Sequence, residues 1–142
     1  MKSPSFQQIT VDNFNDKYTS YEFSKKGKHD KKKGYVKLKG KAYMQHKDVQ
    51  TVSEYSLLEV SFKYMLKFTK EDEVLRLETI DTSKAVTEIL KEYTINGGGN
   101  NVWLSDKFQF QKTEGINLMG LWFIVDSKKG AYIDDVVFRG SK

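Results

Sequence analysis

Apolar and polar residues alternate with a period of two along much of this chain, and that alternation marks out strands. Between Tyr35 and Gln45, Val36, Leu38, Ala42 and Met44 fall on one side, while Tyr35, Lys37, Lys39, Lys41 and Tyr43 fall on the other. The pattern predicts a half-buried strand whose outer face is a lysine ladder capped by tyrosines. From Leu58 to Phe68, Val60, Phe62, Tyr64, Leu66 and Phe68 point to a core, and Glu59, Ser61, Lys63, Met65 and Lys67 point away. Further strands are expected at Phe6 to Val11, Val74 to Ile80, Val102 to Gln111, Asn117 to Asp126 and Ala131 to Arg139. The strand from Asn117 has two apolar faces, one of Met119, Leu121, Phe123 and Val125, the other of Leu118, Gly120, Trp122 and Ile124.

Turn chemistry separates these runs. Asp12 to Asp16 is polar and turn-prone, Lys25 to Gly34 reads as a lysine-dense loop bounded by glycines, and Glu71-Asp72 is a turn. Lys128-Lys129-Gly130 is expected to turn the chain between the last two strands. Ala85 to Ile95 carries two patterns. Asp81-Thr82-Ser83 suits a helix cap ahead of Val86, Ile89, Leu90 and Tyr93, and the same residues suit a hairpin strand. The strands on either side favour the strand. Short strands with turn signals between them predict an all-β sandwich or barrel, as one domain over residues 1–142.

Composition narrows the picture. The chain is 38% hydrophobic and 13% aromatic, enough for one packed core with a lean toward sheet. It has no apolar run long enough for a membrane helix. No apolar signal-peptide centre follows Met1, so the chain is expected to be either non-secreted or a mature or excised piece. The absence of Cys excludes disulfides, thiolate metal sites and Cys nucleophiles. Net charge is +5, and only Arg76 and Arg139 among the 24 basic residues are Arg. Lys is a hydrated point charge, whereas base reading favours Arg, so the charge fits a polyanion better than sequence-specific nucleic-acid recognition.

Chemistry concentrates in Ala131-Tyr132-Ile133-Asp134-Asp135-Val136-Val137-Phe138. Strand alternation would send Asp134 and Asp135 to opposite faces, one of them toward the core, where a carboxylate needs a cation, a metal or several donors. Opposed carboxylates make a poor glycosidase pair, which must face one cleft about 5–9 Å apart. Glu54, Glu59, Glu71, Asp72 and Glu73 fall in turns or on exposed faces. His29 and His46 lie in or beside lysine-rich segments, with no Ser/His/Asp order or His-x-x-x-His spacing. Gly97-Gly98-Gly99 lacks the strand–helix context of a phosphate loop. No enzymatic activity is expected.

The Trp103-containing strand, the apolar strand Leu118 to Val125 and the ending Gly130 to Phe138 together resemble the C-terminal half of the galactose-binding-like jelly rolls. These include carbohydrate-binding modules of families 4, 9, 16 and 22 and related adhesion domains of the MAM type. Gly34-Tyr35-Val36-Lys37-Leu38 resembles an early strand of the same group. The resemblance implies a two-sheet antiparallel jelly roll and a non-catalytic module recognising a polysaccharide, acidic or sulfated given the lysines. A cell-surface adhesion or protein-interaction domain is the alternative. It further implies a monomer attached to other domains of a secreted or surface protein, hence an extracellular or cell-surface location. A structural Ca²⁺ is implied near the terminal strand, with Asp134 or Asp135 joined by Asp12 or Asp16. The N-terminal stretch lacks the family's usual Phe-Glu pair. Sugar recognition needs aromatic faces and polar side chains, which directs attention to Trp122 (with Gly120 leaving room beside it), Trp103, Tyr35, Tyr43, Lys39, Lys63 and Arg76.

Overall fold

The computed structural model describes residues 5–16, 19–47, 49–81, 86–98 and 100–142. Its strands are β1 (Gln7–Asp12), β2 (Tyr21–Phe23), β3 (Gly27–Asp30), β4 (Tyr35–His46), β5 (Gln50–Thr51), β6 (Leu57–Leu66), β7 (Leu75–Asp81), β8 (Val86–Tyr93), β9 (Leu104–Gln111) and β10 (Leu118–Ser141). Of the ambiguous segment Ala85 to Ile95, Val86–Tyr93 is a strand. The suggested cap residues Thr82 and Ser83 lie outside the described residues. The expected lysine-dense loop contains β3, which pairs with β4 through Gly27↔Leu38 and Lys28↔Lys37.

All named strand pairs are antiparallel, and β10 organises them. Its first half lies between β4 and β7, with Trp122 opposite Gln45 on one side and Glu78 on the other. Its second half lies beside β6, with β4 and then β1 along the opposite edge. Two layers result. The front layer holds β2, the end of β4, the start of β10, β7 and β8. The back layer holds β3 and the start of β4, the end of β10, β1, β6 and β9. Phe62 of β6 meets Phe123 of β10 at 5.2 Å and Tyr93 of β8 at 5.4 Å, edge to face, so the layers pack on each other. The core is built from the alternating positions, including Val36, Leu38, Met44, Leu58, Val60, Phe123, Ile133 and Phe138. This is a β-sandwich.

Two local features depart from the sequence expectation. Lys128-Lys129-Gly130 does not reverse the chain. Register runs Ser127↔Gly40 and then Ala131↔Leu38, so the extra residues bulge out of a strand that continues in the same direction. Gly40 and Gly130, both at φ near +75°, let β4 and β10 cross together from one layer to the other. A second bulge lies between Asp134 and Val137, where β6 advances from Lys63 to Ser61. Asp135 takes φ 48° there. The inserted residue resets the alternation: Ile133 and Val136 are both buried, and both Asp are half-buried outside the core.

Candidate ligand-binding faces

Because β4 passes between the layers at Gly40, its outer face is divided. Lys41, Tyr43 and Gln45 belong to the front face, while Tyr35, Lys37 and Lys39 belong to the back. The residues singled out from sequence fall into two groups accordingly. Trp122, Tyr43 and Arg76 come together on the front. Tyr35, Trp103 and Lys63 come together on the back, with Lys39 at the corner.

On the front face the pairing sets up rows across the strands. One runs Glu22, Gln45, Trp122, Glu78, and the next runs Tyr43, Ile124, Arg76, Glu92. Tyr43 stands edge-on to Trp122 at 6.0 Å. Gln45 Nε2 donates to Glu22 Oε1 at 2.5 Å, and Arg76 Nη2 pairs with Glu92 at 3.5 Å. Two buried donors are left over: the indole Nε1–H of Trp122 and the Nε–H of Arg76 have no acceptor among the described residues. Such orphans are costly in a folded protein and call for an explanation. Glu78 is buried beside them at 8% exposure, a carboxylate that sequence reasoning did not single out. The only signal for it was its place within the expected strand Val74 to Ile80, between Leu77 and Thr79.

The strip has one closed and one open end. A side chain at Gly120 would meet Ile80 and Val49 at 3.4–3.5 Å, so Gly120 is covered and does not supply the expected open floor beside Trp122. The other end opens into a cavity of about 630 Å³ lined by Arg76, Ile124, Asp126, Lys128 and the 69–74 loop. Glu73 Oε1 holds that loop, accepting from the amides of Thr69 and Lys70 and from the Thr69 hydroxyl.

On the back face, Tyr35 stacks on Tyr132 at 5.1 Å and meets Trp103 edge-on at 5.3 Å. The Lys37 ammonium lies 5.6 Å from the Tyr132 ring centre, as does that of Lys67. Trp103, at 38% exposure, is open to solvent.

The acidic corner is arranged as follows. Asp12 accepts four hydrogen bonds, from the Phe14 and Ser20 amides and the Thr19 and Ser20 hydroxyls. Asp135 pairs with Lys63 at 3.1 Å, and Asp134 accepts the Asp135 amide at 2.8 Å. Asp16 is exposed. Burial pushes the Asp134 carboxyl up, and the neighbouring charges of Asp135 and Asp12 add to the rise against the Asp135 amide and Lys63. Among the described residues no group of three or more His, Cys, Asp or Glu is gathered as an ion cage. Glu59, expected on an exposed face, is instead 2% exposed beneath Arg139, to which it is hydrogen-bonded.

No protein-family model matches the chain, and no curated protein matches it. Solved structures do. The chain is similar to the CBM22-1 xylan-binding domain of Xyn10C from Paenibacillus barcinonensis, with a TM-score of 0.62, 12% identity and 99% of each chain covered. It is similar to the C-terminal family 22 carbohydrate-binding module of Clostridium thermocellum Xyn10B, with a TM-score of 0.62, 10% identity, and 94% and 93% covered. A CBM35 from Paenibacillus barcinonensis matches with a TM-score of 0.57 and 13% identity over 93% of this chain and 99% of that one. The fold is therefore the jelly-roll sandwich found in carbohydrate-binding modules.

Proposed function

We propose that this chain is a non-catalytic polysaccharide-binding module whose ligand lies along the front face over Trp122, Tyr43 and Arg76. The observation that carries the reading is the pair of buried N–H groups on Trp122 and Arg76 that have no acceptor among the described residues, beside two aromatic rings. A sugar ring presents C–H surface to an aromatic face and hydroxyl oxygens to N–H donors, and this strip supplies both. Glu78 adds an acceptor for hydroxyl protons. The open end above Asp126 leaves room for a chain longer than one ring. That the similar structures include a xylan-binding domain supports the reading.

Retention on polysaccharide affinity gels tests it. Trp122→Ala and Tyr43→Ala are each expected to reduce retention, with Tyr43→Ala leaving the melting temperature near wild type because its side chain is already open to solvent. Full retention by both variants would remove the front face as the site. Calcium is proposed only as a structural ion. Asp134 and Asp12 would hold it, and it would neutralise the mutual repulsion that disfavours the Asp134 charge. It would compete with Thr19 and Ser20 for Asp12. A fall in melting temperature on adding EDTA is expected, and no shift removes the ion. Attachment to a larger secreted or surface protein belongs to the same proposal.

A further inference from the structure

The lysines are not spread evenly. Lys25, Lys26, Lys28, Lys37, Lys39 and Lys128 line one concavity of about 510 Å³, completed by Gly40, with no carboxylate in its wall among the described residues. A second concavity of about 520 Å³ shares Lys39 and Lys128 and extends past Lys67, Lys129 and Asn101 to Tyr132. From Tyr132 the surface continues to Tyr35 and Trp103. Acids touch this track at its margins: Asp30 pairs with Lys37 at 3.6 Å, Asp135 with Lys63 at 3.1 Å, and Lys128 also lines the front cavity with Asp72, Glu73 and Asp126. Elsewhere, exposed lysines such as Lys91 and Lys142 have acidic partners. Like charges crowded around one concavity repel. An anionic ligand relieves that cost.

We infer that this lysine-lined corner and the adjoining back face form a second binding surface, separate from the Trp122 strip, for a carboxylated or sulfated polysaccharide. An anionic sugar chain matches both parts of the track, its acid groups meeting the ammonium groups and its C–H faces meeting the tyrosine and tryptophan edges. Nucleic acid fits less well. Neither arginine lies in this track, and the rings are packed against one another rather than splayed to receive bases.

The test compares a carboxylated polymer (polygalacturonate), a sulfated one (heparin), a neutral xylan and single-stranded DNA by titration at low and high salt. Lys25→Glu/Lys39→Glu changes exposed side chains that do not line the front-face cavity, and is expected to fold. It should weaken the polyanionic sugars about tenfold and flatten their salt dependence. Trp122→Ala should leave that binding unchanged while impairing the neutral chain, so this surface and the front-face proposal fail separately. Either polyanionic sugar binding equally well to the charge-reversed protein, or lost in Trp122→Ala, would overturn the inference. So would tighter binding of DNA than of both anionic sugars, or no binding to either sugar at low salt.

Discussion

At the scale of single residues, the clearest commitment is the Glu59–Arg139 pair. The two stand opposite each other on β6 and β10, with Arg139 Nε 2.8 Å from Glu59 Oε1 and Gln109 Nε2 3.2 Å from Oε2. Phe6 covers the guanidinium from outside. Burial pushes the Glu59 carboxyl up, yet the hydrogen bonds from Arg139 and Gln109 and the charges of Arg139 and Lys107 outweigh it and hold the group below the ordinary range. Arg139→Met strands a buried carboxylate and is expected to cost about 3 kcal/mol in urea unfolding. Adding Glu59→Gln should recover part of that loss. A loss in the single variant as small as that of an exposed pair would show that solvent reaches Glu59. Asp134 gives a smaller and opposite case. Its raised carboxyl means that Asp134→Asn is neutral or stabilising if no ion is held there. If calcium is held, the same change lowers the melting temperature and abolishes the EDTA effect.

At the scale of elements, β4 and β10 decide what the sequence reveals. β4 keeps strict alternation on either side of Gly40, and β10 keeps it from Leu121 to Ser127 and again from Ala131 to Asp134, so those buried positions were legible from period two alone. The crossing between layers was not. A glycine at positive φ serves a turn and a bulge equally well, and Lys128-Lys129-Gly130 carries the same local signal for either. What distinguishes them is Gly40 opposite on another strand. The division of the candidate residues into two faces follows from that crossing, so no local pattern contained it. The expectation that one of the two Asp faces the core failed for the same reason, since one inserted residue turns both carboxylates outward. Gly130 makes the point testable. A Cβ there would lie 1.7 Å from the Leu38 carbonyl oxygen, on a backbone already at φ 75°. Gly130→Ala is therefore expected to cost more than about 3 kcal/mol, within the range of severe single mutations. Gly97→Ala, with open space around the site, should be nearly silent. Similar melting temperatures for the two variants would refute the bulge geometry.

At the scale of the molecule, the two layers are joined along one side by β4 and β10 running through both. Along the other side, β8 of the front layer meets β9 of the back, and Asp106 closes that seam. It accepts from Lys91 Nζ and from the Tyr93 hydroxyl, each at 2.6 Å. Burial, the Asp106 hydrogen bond and its charge push the Tyr93 hydroxyl far above its ordinary value, so it remains a donor. Burial also pushes the Asp106 carboxyl up, but the bonds from Lys91 and Tyr93, the Lys91 charge and the Lys107 amide hold it below the ordinary range. The folded state therefore binds this proton more weakly than the unfolded chain. The stabilisation is fully present above the unfolded carboxylate value of about 4 and is lost as pH falls through the lowered folded value. Asp106→Asn should cost about 1–3 kcal/mol at neutral pH. Because the group that titrates at the seam is gone, the stability of that variant should also fall less steeply than wild type below pH of about 4. Urea midpoints for both proteins across that range check it. Parallel acid slopes would mean that the seam is held by packing of Tyr93 against Phe62 and Tyr64 rather than by the carboxylate.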